Sequence, residues 1–147
     1  PALISELAEA FGVHCVVVGI DSVRDADGEW RVRSHTGDPD AMRAPGNRTL
    51  VWVVEAQALG AGELVLNCMG SDGVRGGYDI EQLRAVRARC NVPLVASGGA
   101  GTAVHFTEVF RKADVDAALA ASIFHFGAVA IPALKQALRA QGIEVRL

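Results

Sequence analysis

The feature that most constrains this chain is a repeated type of unit. A short apolar run, a glycine-rich or polar turn and a helical pattern follow one another four times. The runs fall at 14–20, 63–67, 93–97 and 116–120. Each is nearly continuous in Val, Ile, Leu, Ala or Cys, a composition that predicts parallel strands covered on both faces. Helical patterns precede and separate them. Ile4, Leu7, Ala8 and Phe11 share one face over 2–11, and Gly12 ends that helix. A second helix is expected over 49–59, with Leu50, Val51, Val54 and Ala58 inward and Gly60 as its stop. A third spans 79–89, opened by Asp79 and Gln82 as a variant capping box, with Ile80, Leu83 and Val86 inward. A fourth runs over 102–111, Ser122 to Phe126 forms one short turn, and Pro132 starts a last helix with Leu134, Ala137 and Leu138 on one face. Residues 22–37 read as a hairpin: Asp27-Gly28 is a turn signal, and Trp30, Val32 and Ser34 alternate with Arg31, Arg33 and His35.

Strands alternating with helices imply an α/β fold with a parallel sheet and right-handed crossovers. Two architectures satisfy that: an open doubly wound sheet, or part of a (β/α)8 barrel. A complete barrel takes about 250 residues, so four units make (β/α)4, half a TIM barrel, with a β-hairpin inserted after the first strand. No linker or composition shift divides the chain, so residues 1–147 are expected to be one such unit. A half barrel leaves two strand edges and an apolar helix flank for another chain to cover. The chain begins at Pro1, directly in a helical pattern, as a fragment would.

Composition removes several functional classes. Half the residues are hydrophobic and 21% are charged, which excludes a disordered chain. The net charge is −3; with no basic excess and no block of like charge, no nucleic-acid partner is expected. No apolar run approaches the roughly 20 residues of a membrane span, and no secretory signal is visible. Cys15, Cys68 and Cys90 are odd in number and widely spaced. They read as small buried hydrophobes in a reducing, cytoplasmic compartment. His14, His35, His105 and His125 lack metal-ligand spacing, and Gly98-Gly99-Ala100-Gly101 lacks the dinucleotide spacing. Neither a metal nor a cofactor is expected.

In either architecture the chemistry belongs at the carboxyl ends of the strands. Those ends carry Asp21, Asn67 with Asp72-Gly73 beyond it, Ser97-Gly98-Gly99, and Ala121-Ser122. A carboxylate at the rim of an apolar tube is a candidate general acid or base. The plain alternative for both Asp21 and Asp72 is a turn or a cap. The segment 97–102 is a strand, a glycine turn and a helix start, a combination that suits an anion. With Ser122 opening a short helix after the next strand, it resembles the phosphate device of barrel enzymes. A tight turn without ligand is the alternative.

Four motifs together are distinctive: VVVGIDS at 16–22, GAGELVLNCMGSDGVRGGYD at 60–79, VPLVASGGAG at 92–101 and DAALAASIFHF at 116–126. Their order and wording resemble the cyclase subunit of imidazole glycerol phosphate synthase, an enzyme of histidine biosynthesis, over its carboxyl-terminal half. The resemblance implies a (β/α)8 barrel of two similar halves, each with one catalytic Asp and one phosphate site. It implies that ammonia, delivered by a glutaminase partner, attacks a bis-phosphorylated ribulosyl-formimino aminoimidazole carboxamide nucleotide. The products are imidazole glycerol phosphate and an aminoimidazole carboxamide ribotide. Carried onto this sequence, Asp21 is the catalytic carboxylate, and Asn67, Asp72, Gly73 and Ser97 bind substrate. Gly73, Gly99, Ala121 and Ser122 hold phosphate, and Glu63 belongs to the ammonia-channel gate. The other catalytic Asp and the other phosphate site belong to an amino-terminal half barrel, which that half or a second copy of this chain would have to replace. The alternatives are the related half-barrel isomerase of the same pathway and a non-catalytic phosphate-binding assembly module.

Overall fold

The parallel strands of this chain are laid down in one direction across the sheet. The computed structural model describes residues 1–38 and 40–146. Helix α1 (Ala2–Phe11) ends at Gly12, whose N–H reaches Ala8 O, and a 3-10 turn (Val13–Cys15) leads into β1 (Val17–Arg24). There follow β2 (Trp30–Arg33), α2 (Thr49–Ala58), β3 (Glu63–Cys68), α3 (Ile80–Arg87), β4 (Leu94–Ser97), α4 (Ala103–Ala113), β5 (Ala117–Ala118), α5 (Ser122–His125) and α6 (Ile131–Ala140). The sheet order is β2-β1-β3-β4-β5. β1, β3, β4 and β5 are parallel, and β2 returns antiparallel along the carboxyl-terminal part of β1. A doubly wound sheet reverses its strand order at a switch point. Among the described residues this one does not, so it is an α/β sheet wound one way.

The two faces of the sheet differ. Ile20, Ser22, Leu64, Leu66, Cys68, Leu94 and Ala96 alternate inward and are buried, and with Val53, Leu83, Val86, Phe106 and Val109 of α2, α3 and α4 they form the core. The intervening residues Asp21, Val65, Asn67, Val95 and Ser97 are only half-buried, and Val17 is 53% exposed. The expectation that the strands are covered on both faces therefore holds for one face. Among the described residues no helix covers the other, and the apolar character of the runs could not show this.

Other expectations shift for local reasons. The first strand starts at Val17, because residues 13–15 take the 3-10 turn. It runs past Asp21 because the hairpin ladder continues it, pairing Asp21 with Arg33 and Arg24 with Trp30. The hairpin itself turns through Asp25–Glu29, where Asp25 N–H donates to Glu29 O, and Arg31 pairs with Asp25 and Asp27 at 3.1 and 2.6 Å. The fourth apolar run is a strand only at Ala117–Ala118, although Asp116 N–H and Leu119 N–H still reach Leu94 O and Ala96 O. In α2 the buried side chains are Thr49, Val53 and Ala56, while Val51 and Val54 are exposed. Its sequence, TLVWVVEAQA, is apolar almost all round, so periodicity does not select a face. In α6 Leu134 and Leu138 are buried but Ala137 is not. Cys68 and Cys90 are buried; Cys15, in the 3-10 turn, is exposed. Among the described residues no helix is long and apolar enough to cross a membrane.

Candidate functional site

Asp21, Asn67 and Ser97 stand in register across three adjacent parallel strands, toward their carboxyl ends. Alternation puts all three side chains on the open face, because their neighbours Ser22, Cys68 and Ala96 point into the core. The Asp21 carboxylate is held at both oxygens. Asn67 Nδ2 donates to Oδ1 at 2.9 Å, and the Thr36 hydroxyl donates to Oδ2. Thr36 reaches Asp21 because the chain after β2 turns back at His35, whose φ is 58°, a left-handed conformation rare for a non-glycine residue.

Behind Asp21, β1 is anchored by a buried polar group. Ser22 Oγ lies 2.7 Å from Thr49 Oγ1 at the start of α2, and Gln82 Nε2 of α3 donates to Ser22 Oγ. All three residues are at most 1% exposed. The capping box expected at Asp79 is thus half-formed. Gln82 N–H donates to Asp79 Oδ1 at 2.9 Å, but the Gln82 side chain turns to Ser22 rather than back to the Asp79 backbone.

Beside Asn67 lies a cavity of about 230 Å3, lined by Asn67, Asp72, Gly73, Arg75, the turn 97–100 and residues 119–122. It brings together Asn67, Asp72, Gly73, Ser97, Gly99, Ala121 and Ser122. Asp21 does not line it and joins it through Asn67. Asp72 also occupies a backbone turn, its N–H reaching Cys68 O at 3.1 Å, so turn and cavity wall are the same segment. The glycine turn is pressed against that loop. Gly99 has φ 107°, and a Cβ there would lie 2.0 Å from Gly77 O; one on Gly101 would lie 2.3 Å from Arg75 O. These glycines therefore serve loop-to-loop packing. Gly101 N–H donates to His105 Nδ1 at 3.0 Å, so one amide of the turn is already occupied by the protein, and His105 carries its proton on Nε2. Below the cavity, burial pushes the Cys68 thiol and the Tyr78 hydroxyl well above their ordinary values, and Tyr78 donates to Leu119 O at 2.9 Å. Both groups stay protonated at neutral pH.

Glu63 lies apart. It shares the open face with Val65 and Asn67 but opens β3, about 13 Å from Asn67 along the strand. Sequence reasoning missed Thr36, Ser22, Thr49 and Arg75, and read Gln82 only as a cap and His105 only as a helix residue without metal-ligand spacing. Thr36 and Ser22 carry no local signal, because their partners are 15 to 60 residues away.

The sequence model of the histidine biosynthesis protein family matches residues 1–130. An imidazole glycerol phosphate synthase subunit HisF from Xylella fastidiosa (strain M12) is 73% identical over 146 residues. The proteins of that name from Xanthomonas oryzae pv. oryzae (strain MAFF 311018) and Xanthomonas euvesicatoria pv. vesicatoria (strain 85-10) are 70% identical over the same length. In each comparison 99% of this chain is covered and 57% of the relative.

Proposed function

This chain belongs to the histidine biosynthesis protein family, and from that premise we propose that it forms the carboxyl-terminal half of an imidazole glycerol phosphate synthase cyclase barrel. The observation that carries the reading is the in-register row Asp21, Asn67 and Ser97, continuous with the cavity that Asp72, Gly99 and Ser122 line. The open face of the sheet becomes the barrel interior, the hairpin is an insertion at its rim, and an amino-terminal half closes the far side. Residues 1–147 are then one half-barrel unit.

On this reading the phosphorylated end of the nucleotide enters the cavity. Gly73, Gly99, Ala121 and Ser122 surround the phosphate, with backbone in close reach and the Ser122 hydroxyl able to donate. Asn67, Asp72 and Ser97 contact the adjoining polar part of the substrate. Asp21 accepts a proton from the attacking ammonia nitrogen and returns it to the departing carboxamide product. Asn67 and Thr36 fix the carboxylate plane, so its free lone pairs point at the open face. Glu63, at the opposite mouth, stands where ammonia from a glutaminase subunit would enter. A second carboxylate, from the other half, completes the acid–base pair.

The test is turnover of the bis-phosphorylated nucleotide with and without ammonium, by this chain alone and after adding a separately made amino-terminal half. Ammonium-dependent product from the mixture, and little or none from the chain alone, supports the reading. Full turnover by the chain alone contradicts the two-carboxylate scheme, and conversion of the ring-closed ribosyl isomer to the ribulosyl nucleotide, without ammonium, points to the isomerase.

A further inference from the structure

The cavity beside Asn67 has one basic residue in its wall, Arg75, and one acidic residue, Asp72. A phosphate dianion there stands beside the exposed Asp72 carboxylate, and like charges in one small cavity repel unless a cation offsets them. The backbone around Arg75 is costly. Its φ is 58°, a left-handed conformation that glycine adopts freely and that strains a side chain such as arginine. Its backbone is wedged against Gly101, where even a methyl group would meet Arg75 O and Cβ. Glycines already stand at 73, 76 and 77 in the same loop, so the strained position is the one that keeps a long cationic side chain. Among the described residues Arg75 forms no ion pair, and neither do Arg43, Arg84, Arg89, Arg111 or Arg139; what sets Arg75 apart from them is its place in the wall of this cavity. Strain retained at a cavity wall, on an unpaired cation, indicates a ligand rather than a packing role.

We propose that Arg75 is the phosphate-binding cation of this cavity, a charge that lets it accept a dianionic phosphate ester beside Asp72. The inference rests on the phosphate reading of the cavity given above. It adds a residue that recognises charge to a set otherwise made of backbone, a hydroxyl and small side chains.

Glycine at position 75 separates ligand binding from folding, because it removes the cation and relieves the backbone at once. Affinity for inorganic phosphate is measured by calorimetric titration on the purified protein, and Tm by thermal melting without ligand. Arg75→Gly and Arg75→Ala are expected to bind phosphate about tenfold more weakly, the scale of one lost charge-assisted contact. Arg75→Lys keeps affinity within a few-fold, and Arg75→Gly melts no lower than the unaltered protein. Unchanged phosphate affinity in Arg75→Gly overturns the inference alone. A drop in its Tm that parallels the affinity loss assigns Arg75 to packing and overturns it equally. No binding by the unaltered protein overturns the phosphate reading of the cavity, and this inference with it.

Discussion

The two faces of one sheet are built to different standards. On the helix side, Leu64, Leu66, Leu94 and Ala96 are fully buried, and even the polar Ser22 is bonded to Thr49 and Gln82. On the open side the same strands present Asp21, Val65, Asn67 and Ser97, half-buried, with polar groups collected at the carboxyl ends and Glu63 at the other mouth. One residue of register separates core from site on every strand. The helix side therefore carries stability, and on the proposed reading the open side carries the chemistry and the surface that a partner covers.

The largest expected effect breaks that division at its chemical end. Asp21→Asn, assayed in the reconstituted enzyme, lowers ammonia-dependent turnover by roughly 10²- to 10⁴-fold, the range of a lost acid–base group. Its urea midpoint stays within experimental scatter of the parent, since the residue is not part of the core. A matching loss of stability would move Asp21 to the structural side. Next comes Leu66→Ala, on the covered face and fully buried. It is expected to cost about 2–5 kcal/mol in urea denaturation. Val65→Ala, one residue along and half-buried, costs clearly less, and equal losses would erase the distinction between the faces.

Ser22→Ala sharpens the comparison on the covered side. It leaves the Gln82 amide and the Thr49 hydroxyl without their buried partner, at a cost of about 1–3 kcal/mol. The smallest effect lies in the hairpin. Hydrogen bonding from Arg31 holds the exposed Asp27 carboxyl below its ordinary value of 3.8. A depressed carboxyl stabilises the fold above its unfolded value and loses that contribution as pH falls through the folded one. Arg31→Met should therefore lose a slight advantage at neutral pH, detectable at low salt, and match the parent well below pH 3.8. A difference that persisted at the acid end would trace to packing.

Much of this was legible in the sequence. The second and third parallel strands, β3 and β4, are bounded closely because Gly60 precedes one and Gly98 follows the other, and α1 ends where Gly12 stops it. The covered face of α2 was not legible, because valines surround that helix and only packing selects Val53 over Val51 and Val54. The bareness of the other sheet face was equally hidden, since an apolar strand reads alike whether its second cover belongs to the same chain or to another. At the site, the residues on strand ends and glycine turns were named from position and resemblance, and all but Asp21 and Glu63 line one cavity. Thr36 and Arg75 were missed for a different reason: each reaches the site through a left-handed turn, at His35 and at Arg75 itself, and sequence periodicity carries no trace of such turns.

On the proposed reading the open face is an unfinished barrel interior. Sedimentation velocity tests it most directly, on the chain alone and mixed with an amino-terminal half barrel. Association is expected in both cases, a self-paired species at twice the monomer mass for the chain alone and a one-to-one complex in the mixture. A well-folded chain that stays strictly monomeric at every concentration, with or without that half, would contradict it.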